Sequence, residues 1–85
     1  MPRIIVERTF EAPLSQEDLT ATETRMAPCL GLYRVRWIRS YWSADRRRMI
    51  CEYDAPDAQS VRSVQREAEA KFDQIWPADV LGEPT

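Results

Sequence analysis

Residues 32–54 constrain the fold more than any other stretch. Two runs that alternate with period 2, residues 32–42 and 47–54, flank the polar segment Ser43-Ala44-Asp45, the pattern of an antiparallel hairpin. In the first run Tyr33, Val35, Trp37 and Tyr41 share one face, while Arg34, Arg36, Ser40 and Trp42 lie mainly on the other. Matching the apolar faces sets Trp37 and Tyr41 on the side of Met49, Cys51 and Tyr53. The opposite side then places Arg36 near Glu52 and Ile38 near Ile50. A one-residue slip loses both matches, so this register is the expected one.

The remaining elements fall around this hairpin. Residues 3–10 read as a strand with Ile4, Val6 and Phe10 on one face and Ile5, Glu7 and Thr9 on the other. Ser15 with Asp18 three residues later starts a helix; Leu19, Thr22 and Met26 keep helical spacing, Pro28 ends it, and Gly31 marks the turn. Asp57 after Pro56 caps a second helix whose buried stripe is Val61, Val64, Ala68 and Phe72. Ile75 to Leu81 reads as a short strand, and Pro77, which cannot donate to a ladder, assigns it to a sheet edge. The order β-α-β-β-α-β in one domain spanning residues 1–85 predicts an α+β, ferredoxin-like fold: a four-stranded antiparallel sheet with both helices on one face. Two helices cover one face only. The other carries Trp42, Ile38, Ile50 and Ile4 or Ile5, which predicts a homodimer formed through the sheet.

Composition excludes several chemistries. The chain has no histidine, so it lacks the commonest general base and metal ligand, and a Cys–His or Ser–His nucleophile pair cannot be built. Its two cysteines, Cys29 and Cys51, fall short of a four-thiolate site, and a cytoplasmic address, expected because no signal-peptide pattern opens the chain, keeps them as thiols. No apolar run reaches the roughly 18 residues of a membrane span. Six arginines face one acid, Asp45, between residues 34 and 48. Nucleic acid is nonetheless not the expected partner: the net charge is −2, and RRRMICEY lacks the glycine and stacking aromatics of an RNA-recognition strand.

Three segments, VERTF near the start, SYWSAD in the hairpin and CEYDAPD before the second helix, together resemble a small bacterial family long described as a domain of unknown function. Its characterised representative is a nickel-binding protein with a dimeric ferredoxin-like α/β-barrel fold. The resemblance runs from Arg3 to about Val80 and implies that fold, a dimer, and nickel as a ligand. Where relatives often carry a histidine before the Ser-Tyr pair this chain has Arg39, whose guanidinium stays protonated and repels a cation. The segment EAKFDQIWPADV also lacks the Gly-Leu-Pro turn of many relatives.

Glu7 and Arg8 fall in a strand expected to be central, so one of the two points inward, where an unpaired charge is costly. Placed on the face of Trp37 and Cys51, Glu7 has Arg39 as its natural partner. The pair is either an ion bridge between strands or part of a polar pocket between sheet and helices formed by Glu7, Arg39, Tyr41 and Cys51. Such a pocket suits an anionic or polar small molecule anchored by Arg39. Cys51 reads either as a small buried hydrophobe or as a ligand or redox thiol. Three functions follow: a small-ligand- or metal-binding protein; a cofactor-independent enzyme of the dimeric α/β-barrel type acting on a small polar or aromatic substrate; or a structural or regulatory partner-binding module, which would have no enclosed pocket. Several oxygen or sulfur ligands converging on one point would mark a metal; an elongated apolar cavity with one or two ionisable groups would mark an organic molecule.

Overall fold

The computed structural model describes residues 1–82 and follows the expected order: β1 (Arg3–Thr9), α1 (Gln16–Leu32), β2 (Arg36–Trp42), β3 (Arg48–Asp54), α2 (Ala58–Glu67) and β4 (Gln74–Ala78). The strands form one antiparallel sheet in the order β2-β3-β1-β4, the ferredoxin-like arrangement. β1 is central and β4 lies at the edge, where Pro77 is tolerated.

The ladder sorts the side chains into two faces. Ile4, Val6 and Arg8 of β1 lie opposite Tyr53, Cys51 and Met49 of β3, on the face covered by the helices. Val61 and Val64 of α2 are fully buried against it, each contributing about 1.5–3 kcal/mol by leaving water. Ile5, Glu7, Ile50 and Glu52 occupy the outer face.

Two expectations for the hairpin fail. The register before residue 38 is offset by two residues, so Arg36 pairs with Asp54 and not Glu52. A β-bulge between Trp37 and Arg39 then inserts an extra residue, Ile38, past which Arg39 pairs with Glu52 and Ile50 faces Tyr41 and not Ile38. The extra residue reverses the alternation downstream. Tyr41 therefore faces outward opposite Ile50, and Trp42 turns inward opposite Met49.

Helix α1 also runs longer than expected, through Pro28 and Gly31 to Leu32. Pro28 is exposed, so the carbonyl it leaves without a partner faces water and the helix continues. Helix α2 is shorter: Ala68 caps it, and Phe72 packs from the following segment rather than from the helix. Asp57 caps its start, accepting from the Ser60 amide at 2.7 Å.

Both helices end in the same six-residue closure. Val35 N–H donates to the Leu30 carbonyl and Arg34 N–H to Gly31; Ala70 N–H donates to Gln65 and Glu69 N–H to Arg66. The residue that must turn left-handed is Arg34 (φ 59°) in one case and Glu69 (φ 55°) in the other, positions where glycine is ordinarily favoured.

Candidate functional site: a cavity beneath helix α1

Met26 is the one buried residue of α1, and Leu19, Cys29 and Leu30 are only partly buried against the core. Between α1 and the inner sheet face lies a cavity of about 450 Å³. Phe10, Leu14, Leu19, Met26, Trp42 and Met49 give it apolar walls; Arg8, Ser40, Cys51 and Tyr53 bring polar atoms to it. The C-terminal half of α1 is tied to α2 by Arg25 Nε donating to the Ala68 carbonyl at 2.7 Å, and Tyr33, which caps the helix, donates to Glu67 at 2.7 Å.

Arg8 is inward because it continues the alternation of Ile4 and Val6. Its residue is 7% exposed. Nη1 donates to the Lys71 carbonyl at 2.8 Å and Nη2 to the Tyr53 hydroxyl at 3.3 Å. No carboxylate forms an ion pair with it among the described residues. A buried guanidinium without a counter-ion is unfavourable by several kcal/mol.

Tyr53 does not supply that counter-charge. Burial pushes its phenol up to about 12, the neighbouring Cys51 adds to the rise, and Arg8 opposes it, so the group is neutral at physiological pH. Its hydroxyl accepts from Arg8 and donates to the Met26 sulfur at 3.5 Å. Gln65 on α2 is fully buried and lies near enough to Tyr53 to favour the phenolate slightly. Neither end of its amide, however, meets a hydrogen-bond partner in proper geometry among the described residues. Beside Tyr53, Ser40 accepts from the Trp37 indole at 2.9 Å and donates to the Cys51 sulfur at 3.0 Å. Arg46 lies over the Trp42 ring, 4.0 Å from its centre.

The four residues singled out in the sequence do not meet in one pocket. Cys51 lines the cavity. Glu7, Arg39 and Tyr41 lie on the outer face, Glu7 by the strand alternation that turns Arg8 inward, Tyr41 because of the bulge. Glu7 accepts from the Trp76 indole at 2.7 Å, and Arg39 stands 3.7 Å from Glu52. Glu52 also binds Arg3 at 2.6 Å, while Asp54 takes Arg3 and Arg36 at 3.3 and 2.5 Å. Arg39 therefore belongs to a surface ion network and does not enter the cavity. The inward cation is Arg8, whose signal in the sequence is its spacing of two from Val6 and four from Ile4. Ser40 and Trp42 could not be assigned to the cavity without the bulge.

A second depression of about 750 Å³ runs along β4 past Arg62, Phe72 and Trp76. It is an open surface groove whose acids are already engaged, Glu7 by Trp76 and Asp73 by the Thr9 hydroxyl at 2.7 Å. Among the described residues no three histidine, cysteine, aspartate or glutamate side chains converge as a metal site would require. The residues present thus do not fit a nickel centre. Nor is any described helix long and apolar enough to cross a membrane.

These features define a small ferredoxin-like α+β protein with a partly open cavity between sheet and helices. The chain belongs to the family of nickel responsive proteins like SCO4226, whose family model matches residues 5–77. Its structure is similar to the crystal structure of SCO4226 from Streptomyces coelicolor A3(2), with a TM-score of 0.82 and 14% identity over 94% of this chain and 99% of that one. At that identity the likeness establishes the fold. No curated protein matches the chain.

Proposed function

We propose that this protein binds a small organic molecule in the cavity beneath α1, and that it acts as a cytoplasmic homodimer joined through the outer sheet face. The observation that carries the ligand reading is the cavity itself: about 450 Å³, apolar walls, and a small set of polar groups at one region, the usual composition of a small-molecule site. The family name speaks of a response to nickel. In this chain the absence of histidine and of any convergent set of donors among the described residues favours an organic ligand over a bound ion.

Support for the dimer comes from the outer face. Half-buried Ile50 lies on it beside Ile5, which its neighbours already cover, and Tyr41 (55% exposed) and Trp76 (41% exposed) flank them. Aromatic rings of this size on an uncovered sheet are typical of a protein contact. The two cysteines, both free, suit a reducing compartment.

Titration of the purified protein with 4-phenylbutyrate and, separately, with nickel chloride tests the ligand reading. Trp37 and Trp42 line the cavity, so their fluorescence reports its occupancy. Saturable change with the organic probe supports the proposal. Stoichiometric uptake of nickel with no response to the organic probe would overturn it.

A further inference from the structure

We infer that the cavity selects an organic monoanion, an apolar body ending in a carboxylate, and that Arg8 holds the charged end; this rests on the cavity being the ligand site. A guanidinium carries five N–H donors in a planar fork, and the protein supplies Arg8 with two acceptors, the Lys71 carbonyl and the Tyr53 hydroxyl. Both acceptors are neutral. The group is nonetheless 93% buried, given its 7% exposure, and it borders the cavity. A charge sequestered in this way without an acid calls for an anion from outside, and the guanidinium fork matches a carboxylate with two parallel hydrogen bonds.

The other charges around the cavity set the ligand's charge at one. Lys71 is the second cation bordering it, but its ammonium donates to the Thr9 carbonyl and lies 3.7 Å from Asp73. Its charge is thereby answered within the protein. Glu23 on the exposed side of α1 is the one carboxylate among the described lining residues, and it makes no ion pair with Arg8. Among the described residues this leaves Arg8 as the buried cation with no ion-paired acid, while the carboxylate of Glu23 belongs to an exposed residue. A dianion such as phosphate would bring an excess negative charge against Phe10, Leu14, Met26 and Met49, and would leave the apolar volume unfilled. A carboxylate carried on a phenyl or alkyl body satisfies both halves of the site.

The test compares a charged probe with its neutral counterpart on two proteins. Wild type and Arg8→Met are titrated at neutral pH with 4-phenylbutyrate and with 4-phenylbutan-1-ol, followed by tryptophan fluorescence. Wild type is expected to bind the carboxylate about 10- to 100-fold more tightly than the alcohol, the range of a charge-assisted hydrogen-bonded pair. In Arg8→Met the ratio of the two affinities is expected to fall to about one; a preference for the carboxylate that persists in Arg8→Met overturns the assignment of Arg8 as its anchor. Equal binding of the two probes by wild type overturns the anion inference and leaves the cavity as the ligand site. Failure of wild type to bind either probe overturns both. Should Arg8→Met not fold, the wild-type pair decides alone, and Arg8→Lys, which keeps the charge and loses the fork, is expected to show an intermediate preference.

Discussion

Arg8 and Tyr53 meet beneath helix α1, guanidinium to phenol at 3.3 Å, with the tyrosine 2% exposed and, among the described residues, no acid ion-paired to the arginine. Alternation along β1 and β3 brings them to the same face on neighbouring strands, and the cavity opens beside them. A buried charge of this kind lowers stability unless something answers it. On the proposed reading, a ligand's anion answers it.

That reasoning predicts a stability trade. Arg8→Met removes an uncompensated charge and adds apolar volume, so the ligand-free variant should equal wild type or exceed it by up to about 2 kcal/mol. Urea denaturation measures this. A loss above about 2 kcal/mol would mean that Arg8 is a structural residue held by the Lys71 and Tyr53 contacts alone.

The two helix closures give a second prediction. Arg34 and Glu69 occupy left-handed backbone, which disfavours any residue with a Cβ. Arg34→Gly and Glu69→Gly should each stabilise the protein by about 0.5–1 kcal/mol. Thermal melts of the two variants check this, with alanine at the same positions expected to give no gain. After α2 the turn is closed with Glu69 in the left-handed position.

Acid stability follows from the surface carboxylates. Arg36 chiefly, with Arg3, holds Asp54 below the usual aspartate range; the Ser60 amide and hydroxyl do the same for Asp57, and the Thr9 hydroxyl and Lys71 for Asp73. Each folded value is depressed, so the stability it contributes is present above the unfolded value near 3.8 and is lost as pH falls through the lower folded value. Unfolding free energy should be flat near neutrality and drop below about pH 4. Asp54→Asn should be less stable at neutral pH and show a shallower acid drop. On the alkaline side Tyr53 acts in the opposite sense: its phenol is raised from 10.0 to about 12, so stability declines as pH climbs through that interval.

The outer face carries the dimer proposal. Ile50 sits between Tyr41 and Glu7 on that face. Ile50→Asp should shift the protein from dimer to monomer in light scattering while circular dichroism remains that of the folded chain. A wild-type monomer in dilute solution would remove this part of the proposal.

Much of the fold is legible in the sequence because its signals are periodic. Alternation in residues 3–10 and 47–54, the Ser15 and Asp57 caps and the edge proline Pro77 each report a local preference that tertiary packing keeps. The bulge at Ile38 is different. One inserted residue moves Tyr41 outward and Trp42 inward, and since both are large aromatics the sequence carries no compositional trace of the exchange. Pro28 misled for a related reason, since whether a proline ends a helix depends on where its unpaired carbonyl points. Of the candidate site, the need for one inward charge at Glu7 or Arg8 was readable. Which one points inward depended on the face shared with Cys51, and the cavity joins residues from separate elements that no single stretch of sequence brings together.

The ligand site itself is tested most directly through the methionines. Met26 on α1 and Met49 on β3 both line the cavity, while Met1 is 72% exposed. Labelling the methionine methyl groups and adding 4-phenylbutyrate should shift the Met26 and Met49 resonances saturably and together, leaving Met1 unmoved. Resonances of Met26 and Met49 that stay in place at probe concentrations far above those of a millimolar site would contradict the assignment of this cavity as the place where the protein binds its ligand.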